Sequence, residues 1–458
     1  MYEIDLKKPA HVHFIGIGGI SMSGLAEILL DEKFCVTGSD ARRSPITEHL
    51  ESLGAKIAYA QTADNITDGM DAVVYTAAIH PDNPEFAEAA KRGIPMLTRA
   101  QLLGQIMKHY RNAISVAGTH GKTTTTSMIT EIFMEAKTDP TVSVGGMLDS
   151  IGGNIRVGGP DYFVMEACEY TNSFLSFFPT LAVILNVQED HLDFFKDLAD
   201  IRHSFRRFVG NVAEGGTVVI NGEIENWSEI IGDAKVKVIT FGHDRSFDYS
   251  AGDISYDEFG RASFDLYVKG EKKERIRLGV AGEHNVLNAL AAIAAAQNYA
   301  IPMSAVTKAL ERFSGTHRRF EKKGVLDGVT IIDDYAHHPQ EIEATLLAAK
   351  NYPHGTVWCA FQPHTYSRTA AFLDDFAKAL SLADRVILAD IYAARETNTY
   401  GVSSDDIVQR LKKMGKEAWY LPTFPEIESF VRENCRPGDI LITMGAGDIV
   451  KVGENLLK

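Results

Sequence analysis

The feature that most constrains this chain is a glycine-rich segment that follows a short apolar run at residues 113–117. The segment consists of Gly118, Thr119, His120, Gly121, Lys122, Thr123 and Thr124. An apolar strand, glycines and a helix start bring backbone N–H groups towards an anion. Lys122 then meets the β- and γ-phosphates of a nucleotide, and the Thr123 hydroxyl ligates Mg²⁺. The segment predicts a strand, a phosphate-binding loop and a helix over residues 122–135, and therefore a site that uses ATP.

The spacing of this loop departs from the common G-x-x-x-x-G-K-[ST] pattern. That pattern needs glycine at position 116, where the chain has Val116, so the loop is a shortened G-x-x-G-K-T. The alternative is a glycine turn before a threonine-rich helix, with Lys122 only solvated. The order of strand, glycines, lysine and threonine is the one that the chemistry requires, and it favours ATP binding.

Length and charge limit the class of protein. The 458 residues are too many for one hydrophobic core and indicate about three domains. The formal net charge of −15 disfavours nucleic-acid binding, so any anionic substrate needs a local basic or amide-rich pocket. The four cysteines are far apart, which predicts buried thiols in a reducing cytoplasm. Without a secretory leader or a membrane-length apolar segment, we expect a cytoplasmic protein with no membrane partner.

Residues 1–110 predict a Rossmann-like domain around a parallel sheet. The first strand turns into a helix through four small residues, Gly16, Gly18, Gly19 and Ser21. Ser21 replaces the third glycine of the dinucleotide fingerprint, which makes NAD a weak prediction and leaves a loop shaped for a diphosphate. Asp40 and Thr76 end later strands, so we expect them to share one crevice with the loop. The alternative is a Rossmann-like domain that binds no ligand.

Residues 111–315 carry the phosphate loop and two apolar runs that end in polar side chains. The first run ends at Glu166 and Glu169, and the second continues to Asp190, His191 and Asp193. Mg²⁺ prefers oxygen ligands and keeps several waters, so one carboxylate with Thr123 and phosphate oxygens suffices. Glu166 and His191 are the predicted metal ligands, His191 for a second ion. The other acids, taken singly, are equally well explained as polar loop residues.

An alanine- and leucine-rich segment from residue 284 predicts a buried helix. Asn285 and Asn288 lie three residues apart near its start, so they share a face that can hydrogen-bond a planar heterocycle such as adenine. Isolated asparagines are more often helix caps. The predicted nucleotide site therefore consists of residues 118–124, Asn285 and Asn288.

Residues 316–458 predict a third α/β unit with polar side chains at one rim. Arg318 and Arg319 stand at its start, where arginines at a domain joint can reach a γ-phosphate. The polar rim comprises Asp334, His337, His338, His364, Arg368, Arg395 and Glu396. Paired histidines at this spacing are more often hydrogen-bonding groups than zinc ligands. With Arg368 they could hold a carboxylate or diphosphate oxygens.

Taken in order, these motifs resemble those of the Mur ligases over nearly the whole chain. The shared motifs are the glycine loop from Gly16, the phosphate loop, Glu166-Ala-Cys-Glu169-Tyr170, Asp190-His191, Asn285-x-x-Asn288, Arg318-Arg319-Phe320 and residues 333–339 and 361–368. The resemblance implies an α/β fold of three domains. These are a Rossmann-like UDP-sugar domain at 1–110, a P-loop ATPase-type domain at 111–315 and a Rossmann-like amino-acid domain at 316–458.

The resemblance also implies an activity and residue roles. A monomer or homodimer would use ATP and Mg²⁺ to join L-alanine to the lactyl carboxylate of UDP-N-acetylmuramate through an acyl phosphate, in peptidoglycan precursor synthesis. Lys122, Glu166, His191, Arg319 and Asp334 would form the catalytic set, with Thr123, Glu166 and His191 on metal. The substrates would meet Gly16, Gly18, Gly19, Ser21, Asp40, Thr76, His337, His338, His364 and Arg368.

Three details bear on the branch of the family. Members that add later amino acids carry a carbamylated lysine after the Asp-His motif, whereas residues 201–209 contain no lysine, as in the alanine-adding branch. Thr365 replaces an arginine of some members, which leaves the carboxylate contact there open. His191 and His337 are both candidates for accepting the proton of the amine.

Three alternatives remain open. The first is a ligase that joins UDP-N-acetylmuramate to a ready-made tripeptide; its first loop typically reads Gly-Ile-Cys-Gly, where this chain has glycine at position 18. The second is an NAD-dependent oxidoreductase, and the third is a non-catalytic nucleotide-binding protein.

Overall fold

The computed structural model describes residues 2–76, 79–192, 194–394 and 396–458. Within these ranges the chain forms three sheets, of five, ten and six strands. Asp193 and Arg395, which the sequence places among polar strand-end groups, lie outside the described residues. None of the helices in the described ranges combines the length and the apolar character needed to cross a bilayer.

The first unit is built on a five-stranded sheet. Its elements are β1 (His11–Ile15), α1 (Ile20–Asp31), β2 (Cys35–Ser39), α2 (Pro45–Ser52), β3 (Lys56–Ala58), β4 (Ala72–Tyr75), α3 (Pro84–Lys91), β5 (Met96–Thr98) and α4 (Arg99–Met107). The strand order is β3-β2-β1-β4-β5, and every pairing is parallel, as predicted. Alternate side chains enter two apolar clusters, one with Val12 and Phe14 and the other with Ile15 and Val73. Both faces of the sheet are therefore buried.

The second unit contains a ten-stranded sheet. Its elements are β6 (Asn112–Ala117), α5 (Lys122–Glu135), β7 (Thr141–Leu148), β8 (Gly153–Arg156), β9 (Tyr162–Glu166), β10 (Leu181–Ile184), α6 (Leu198–Gly210), β11 (Thr217–Asn221), α7 (Trp227–Ile231), β12 (Lys237–Gly242), β13 (Tyr249–Tyr256), β14 (Arg261–Val268), β15 (Glu271–Ala281), α8 (His284–Asn298) and α9 (Met303–Arg312). The strand order is β15-β14-β13-β12-β11-β10-β6-β9-β7-β8. The centre is parallel, whereas β13–β15 and the β7–β8 hairpin are antiparallel.

The third unit is a six-stranded sheet with helices. Its elements are β16 (Glu321–Leu326), β17 (Val329–Asp334), α10 (Pro339–Lys350), β18 (Val357–Phe361), α11 (Tyr366–Ala371), α12 (Leu373–Leu380), β19 (Arg385–Leu388), α13 (Ser404–Lys413), β20 (Glu417–Tyr420), α14 (Phe424–Asn434), β21 (Ile440–Met444) and α15 (Val450–Leu456). The strand order is β16-β17-β21-β18-β19-β20, with only the β16–β17 pairing antiparallel.

Close backbone contacts join the first unit to the second. A Cβ on Gly24 of α1 would overlap the side chain of Ile155 in β8, and a Cβ on Gly104 of α4 would overlap the carbonyl oxygen of Ser176. Hydrogen bonds also join the linker before β16 to the second unit. The His317 N–H donates to the Met147 carbonyl at 3.1 Å, His317 Nε2 lies 2.7 Å from Asp149 Oδ1, and Thr316 Oγ1 donates to Ser127 Oγ at 3.0 Å.

One prediction about the cysteines is wrong. Cys359 and Cys435 are buried, and Cys168 is partly buried, but Cys35 is exposed. Cys35 is the first residue of β2, where the strand emerges from the core, and its side chain points away from the apolar cluster that contains Val36.

Candidate active site

The phosphate loop between β6 and α5 requires both of its glycines. Gly118 has φ +151° and Gly121 has φ +83°, backbone conformations that side chains with a Cβ rarely adopt. A Cβ on Gly121 would also lie 2.5 Å from Asn288 Oδ1. The loop therefore packs against the start of α8, where the two predicted adenine-binding asparagines lie.

Lys122 is the first residue of α5 and holds the loop from inside. Its Nζ donates to the carbonyl oxygens of Gly118 at 2.5 Å and Thr119 at 2.9 Å, and to Glu169 Oε2 at 2.9 Å. Burial lowers the pKa of Lys122, but the nearby Glu169 carboxylate outweighs it, so the pKa lies above its ordinary value. Lys122 is therefore a permanent cation inside the loop.

Two oxygen ligands of the kind that Mg²⁺ prefers lie together beside the loop. Thr123 Oγ1 donates to Glu166 Oε2 at 2.8 Å, and the Gly145 N–H donates to the same oxygen at 2.9 Å. Among the described residues no cluster of three or more His, Cys, Asp and Glu side chains could hold a metal by itself. This arrangement fits an ion that takes one carboxylate and one hydroxyl from the protein and its other ligands from phosphate and water.

His191, the other predicted metal ligand, lies in a strained segment. It has φ +53°, its ring stacks on Tyr170 with centroids 4.4 Å apart, and its Nε2 is 3.7 Å from Asp190 Oδ2. Burial lowers the pKa of His191, although the Asp190 carboxylate opposes the shift. The imidazole is therefore neutral at pH 7, which is the form that binds a metal.

The third unit contacts the phosphate loop directly. His120 places Nδ1 3.1 Å from Glu341 Oε1 and Nε2 3.1 Å from Gln340 Oε1, both in the first turn of α10. Its ring lies 5.1 Å from that of His338. Arg368 Nη2 donates to Asp190 Oδ1 at 3.1 Å, which is a second contact between the two units. The second and third units are therefore in direct contact beside the phosphate loop.

Asn285 and Asn288 are both buried at the start of α8. Asn285 Nδ2 donates to the Ala281 carbonyl at 2.7 Å, and Asn288 Nδ2 donates to Asn285 Oδ1 at 2.9 Å. They share a face as predicted, and they lie along the same cavity as the phosphate loop. Their role towards adenine stays a prediction.

The two linker arginines have different surroundings. Arg318 Nε donates to Asp333 Oδ2 at 3.0 Å and Nη2 to the Gly445 carbonyl at 2.6 Å. This side chain therefore makes its hydrogen bonds within the third unit, to the ends of β17 and β21. The Arg319 guanidinium lies 5.2 Å from the Tyr335 ring centroid and lines the cavity. Asp334 accepts hydrogen bonds from the backbone N–H groups of Phe320 and Ala336, both at 2.7 Å. Burial raises the pKa of Asp334 to about 6, although Arg319 opposes the shift.

Three predicted substrate-binding histidines lie around the start of α10 and α11. Burial lowers the pKa of His337, His338 and His364 to about 4, so all three are neutral at pH 7. His337 Nδ1 lies 3.0 Å from the Tyr335 carbonyl, which fixes that nitrogen as the donor. His338 Nε2 is buried without a hydrogen-bond partner in the described part of the chain.

The glycine loop of the first unit is held by β2. The Gly18 N–H donates to Asp40 Oδ2 at 2.8 Å, and the Gly16 N–H donates to the Ser39 carbonyl at 2.9 Å. Ser21 Oγ accepts a hydrogen bond from Arg99 Nη1 at 2.7 Å. The loop and Asp40 therefore come together as predicted, with Thr76 just beyond β4 on the neighbouring strand.

One cavity of about 1090 Å³ collects most of the predicted nucleotide and catalytic residues. Lining it are Thr119, His120, Gly121, Lys122, Thr123, Thr124, Glu166, His191, Asn285, Asn288, Arg319, Asp334 and His337. Gly118, His338, His364 and Arg368 are not among its lining residues, and neither are the predicted residues of the first unit. The residues predicted to bind the UDP sugar therefore lie outside this cavity.

The structure adds residues that sequence reasoning did not select. Glu169 pairs with Lys122, and Glu341 accepts from the His337 N–H at 3.1 Å while contacting His120. The spacing of His338 and Glu341 is that of a helix N-cap and its third residue, which could have drawn attention to Glu341. The partner of Lys122 and the contact of Arg99 had no local signal.

Comparisons with known proteins agree with this geometry. Residues 11–111 match the profile described as "Mur ligase family, catalytic domain", residues 116–296 the "Mur ligase middle domain" and residues 318–447 the "Mur ligase, glutamate ligase domain". The alternative of an NAD-dependent oxidoreductase finds no support in these matches.

Similar proteins cover the full chain. The UDP-N-acetylmuramate–L-alanine ligases of Lachnospira eligens and Agathobacter rectalis are 60% and 58% identical, over 100% of this chain and of each relative. The crystal structure of a UDP-N-acetylmuramate-alanine ligase from Thermotoga maritima matches with TM-score 0.80 and 32% identity, over 98% of both chains. A murein peptide ligase from Psychrobacter arcticus matches with TM-score 0.70 and 25% identity, over 98% of both chains. The chain therefore belongs to the Mur ligase family.

Proposed function

We propose that this chain joins L-alanine to the lactyl carboxylate of UDP-N-acetylmuramate, with cleavage of ATP to ADP and phosphate, in peptidoglycan precursor synthesis. The full-length relatives at 58–60% identity carry this activity in their names. The alternative of tripeptide ligation is not favoured, because two tripeptide ligases of known structure are only 25% and 30% identical, against 58–60% for the L-alanine ligases.

The single observation that carries the proposal is the pairing of two sites in one cavity. Lys122, Thr123 and Glu166 lie on one side, and His337 of the third unit lies on the other. A phosphate-activating site and a site for a second reactant therefore line the same cavity, as a ligase requires. This arrangement disfavours a protein that only binds a nucleotide.

The proposed first step is phosphoryl transfer. A lactyl carboxylate oxygen forms a bond to the γ-phosphorus of ATP, and the bond between that phosphorus and the ADP oxygen breaks. Lys122, which is held charged by Glu169, neutralises charge that develops on the phosphoryl oxygens. Backbone N–H groups of the loop and the N-terminus of α5 add to this stabilisation.

We assign Mg²⁺ to Thr123 and Glu166, and a second ion to His191. The Thr123–Glu166 hydrogen bond and the neutral His191 imidazole supply donors of suitable type. When bound, the metal would supply positive charge towards the phosphate oxygens.

The proposed second step uses the third unit. The alanine amine forms a bond to the acyl carbon, and the bond from that carbon to the phosphate oxygen breaks. A neutral His337, with Nδ1 committed to the Tyr335 carbonyl, offers Nε2 as an acceptor for the ammonium of alanine. Arg368 pairs with Asp190 and does not line the cavity, so it would bind the alanine carboxylate only by exchanging that partner. We place this chemistry in the cytoplasm, where ATP and free thiols occur.

The test is phosphate release from ATP and Mg²⁺ with UDP-N-acetylmuramate, with L-alanine, D-glutamate or L-alanyl-γ-D-glutamyl-diaminopimelate added in separate reactions. We expect release with L-alanine and a product heavier by one alanyl residue. Lys122→Ala should abolish release while leaving UDP-N-acetylmuramate binding unchanged. Release with the tripeptide alone would reassign the protein to tripeptide ligation, and release from none would leave only nucleotide binding.

A further inference from the structure

The first and second units meet at α4, whose first residue is an arginine that the steps above do not use. Gly104 allows α4 to lie against the backbone of Ser176, in the segment that follows Glu169. Arg99 begins the same helix and donates to Ser21 Oγ, at 2.7 Å, beside the glycine loop. Cys168, which lines the ATP cavity and stands between Glu166 and Glu169 in sequence, is near enough to act electrostatically on the Arg99 guanidinium. Arg99 therefore stands between the two predicted binding sites.

Arg99 has no counter-charge in the part of the chain that the structure describes. Two other arginines near the domain joints are paired, Arg318 with Asp333 and Arg368 with Asp190. Arg99 is partly buried, and burial lowers its pKa, with the Cys168 thiol opposing the shift. An arginine stays charged at pH 7 even so. A desolvated cation without an anion is unfavourable, and an anionic ligand at this position would relieve that cost.

We propose that Arg99 binds the lactyl carboxylate of UDP-N-acetylmuramate and selects for this group among UDP-sugars. The inference rests on the proposed function. It follows from position. The diphosphate of UDP-N-acetylmuramate belongs at the glycine loop and the γ-phosphate of ATP at Lys122, so the lactyl carboxylate that attacks this phosphate must lie between the two. Arg99 contacts Ser21 beside the glycine loop and lies near Cys168 of the ATP cavity.

The chemistry of the guanidinium suits this role. The hydrogen bond to Ser21 uses one of the five N–H donors of the Arg99 guanidinium. The remaining donors include a planar pair that matches a carboxylate. Phosphoryl transfer also requires two anions, the carboxylate and the γ-phosphate, to approach each other. A cation on the carboxylate side reduces their repulsion, as Lys122 does on the phosphate side.

The experiment compares two nucleotide sugars on the intact protein by titration calorimetry without ATP. UDP-N-acetylmuramate carries the lactyl group, and UDP-N-acetylglucosamine shares the rest of the molecule but lacks it. Arg99→Gln should weaken UDP-N-acetylmuramate binding about 50-fold, the loss expected for hydrogen bonds to a charged group. It should change UDP-N-acetylglucosamine binding less than about twofold. Arg99→Lys should give an intermediate loss, because it keeps the charge but not the planar fork.

Arg92→Gln is the matched control, because Arg92 is an arginine of the same unit that pairs with Glu88 at the surface. It should leave both affinities unchanged. If Arg99→Gln does not fold, Arg99→Lys carries the same comparison. Equal losses for both sugars would place Arg99 on the diphosphate and overturn the proposal, as would no loss for either. Turnover of the wild type with L-alanine is measured in parallel, so a failure of the proposed function is seen separately.

Discussion

Lys122 and Glu169 form the ion pair on which the phosphate loop depends. Their side chains are only 12% and 3% exposed, and the contact is 2.9 Å. Such a pair contributes little net stability when complete, but loss of one partner leaves a buried charge uncompensated. Glu169 therefore acts as a positioning residue that keeps Lys122 charged and directed into the loop.

Glu169→Gln should destabilise the protein by about 3 kcal/mol and lower kcat at least about tenfold, because Lys122 loses its counter-charge. Thermal unfolding and steady-state kinetics measure the two effects. Glu189→Gln, at an exposed glutamate before Asp190, is the control and should change stability by less than about 0.5 kcal/mol. An unchanged melting temperature and kcat for Glu169→Gln would show that the pair has no such role.

Single residues divide into those that local sequence predicts and those that it does not. Thr123 was predicted as a metal ligand because it follows the lysine of the phosphate loop, and Glu166 because it ends an apolar run. The two side chains are hydrogen-bonded in the structure. Glu169 was no better than a polar loop residue, because its partner lies 47 positions away in sequence. Arg99 was not selected at all, because its proposed role depends on which residues of the first and second units lie around it.

At the scale of elements, the first turn of α10 connects the third unit to the phosphate loop. His338 and Glu341 form a capping box, and Glu341 also lies 3.1 Å from His120 Nδ1. Burial raises the pKa of Glu341, but His337 and His120 outweigh it and hold the pKa well below its usual range. The helix start is therefore both a structural cap and a contact between units.

Glu341→Ala should lower stability by about 1–2 kcal/mol through loss of the cap and should also raise the KM for L-alanine. Glu341→Gln, which can still cap, should restore most of the stability but not the KM, because it lacks the charge facing His120. The control is Glu426→Ala, which removes the equivalent capping residue of α14, away from the cavity. It should cost similar stability without a change in KM. Parallel changes in KM for both helices would refute the contact role.

Gly104→Ala tests the contact between α4 and the second unit. A Cβ at this position would overlap the Ser176 carbonyl oxygen, so α4 has to move away from the segment that contains Ser176. We expect a loss of at least about 2 kcal/mol in unfolding free energy and a higher KM for UDP-N-acetylmuramate. Gly210→Ala in α6, where a Cβ meets nothing within 4 Å, should be neutral or stabilising. Equal melting temperatures for the two variants would contradict the contact.

Elements with strong local signals were predicted well from sequence. The helix expected at residues 122–135 is α5 (Lys122–Glu135), and the antiparallel strands expected near residues 253–277 are β13–β15. The β7–β8 hairpin and β16 were missed. Most of their residues are only partly buried, because they lie at sheet edges and at contacts between units, so they lack clear alternation. Their strands are specified by tertiary contacts rather than by pattern.

At the scale of the whole molecule, buried histidines make the stability depend on pH. Burial lowers the folded-state pKa of His337, His338 and His364 from 6.5 to about 4. Between these values the unfolded chain binds protons that the folded chain does not, so unfolding free energy falls as pH falls. Each imidazole lowers the unfolding free energy by at most roughly 3 kcal/mol over this pH range. Burial raises the pKa of Asp334 to about 6, so this carboxyl binds a proton in the folded chain first. Its effect on the unfolding free energy has the opposite sign and offsets that of about one histidine.

The melting temperature should therefore fall between pH 7 and pH 4.5, and His338→Gln should make this fall shallower. His203→Gln, at an exposed histidine of α6, is the control and should follow the wild type. A melting temperature that stays constant over this range, or a His338→Gln curve parallel to the wild type, would contradict the assignment.

The cavity that residues of the second and third units line together is the basis of the proposed reaction. The sequence predicted its contributors from three separate regions, but not that His120 and Arg368 would join those regions. Such contacts depend on how the units pack, which no local pattern encodes. The predicted unit boundaries at residues 110 and 315 stay predictions.

The most direct test of the proposed reaction follows the oxygen atoms of the lactyl carboxylate. UDP-N-acetylmuramate labelled with ¹⁸O at both carboxylate oxygens is incubated with the protein, ATP, Mg²⁺ and L-alanine, and the released phosphate is analysed by mass spectrometry. If the carboxylate attacks the γ-phosphorus and the amine then displaces phosphate, one labelled oxygen leaves in each phosphate. We predict this transfer together with an alanyl product. Phosphate without label, or label transfer without an alanyl product, would contradict it.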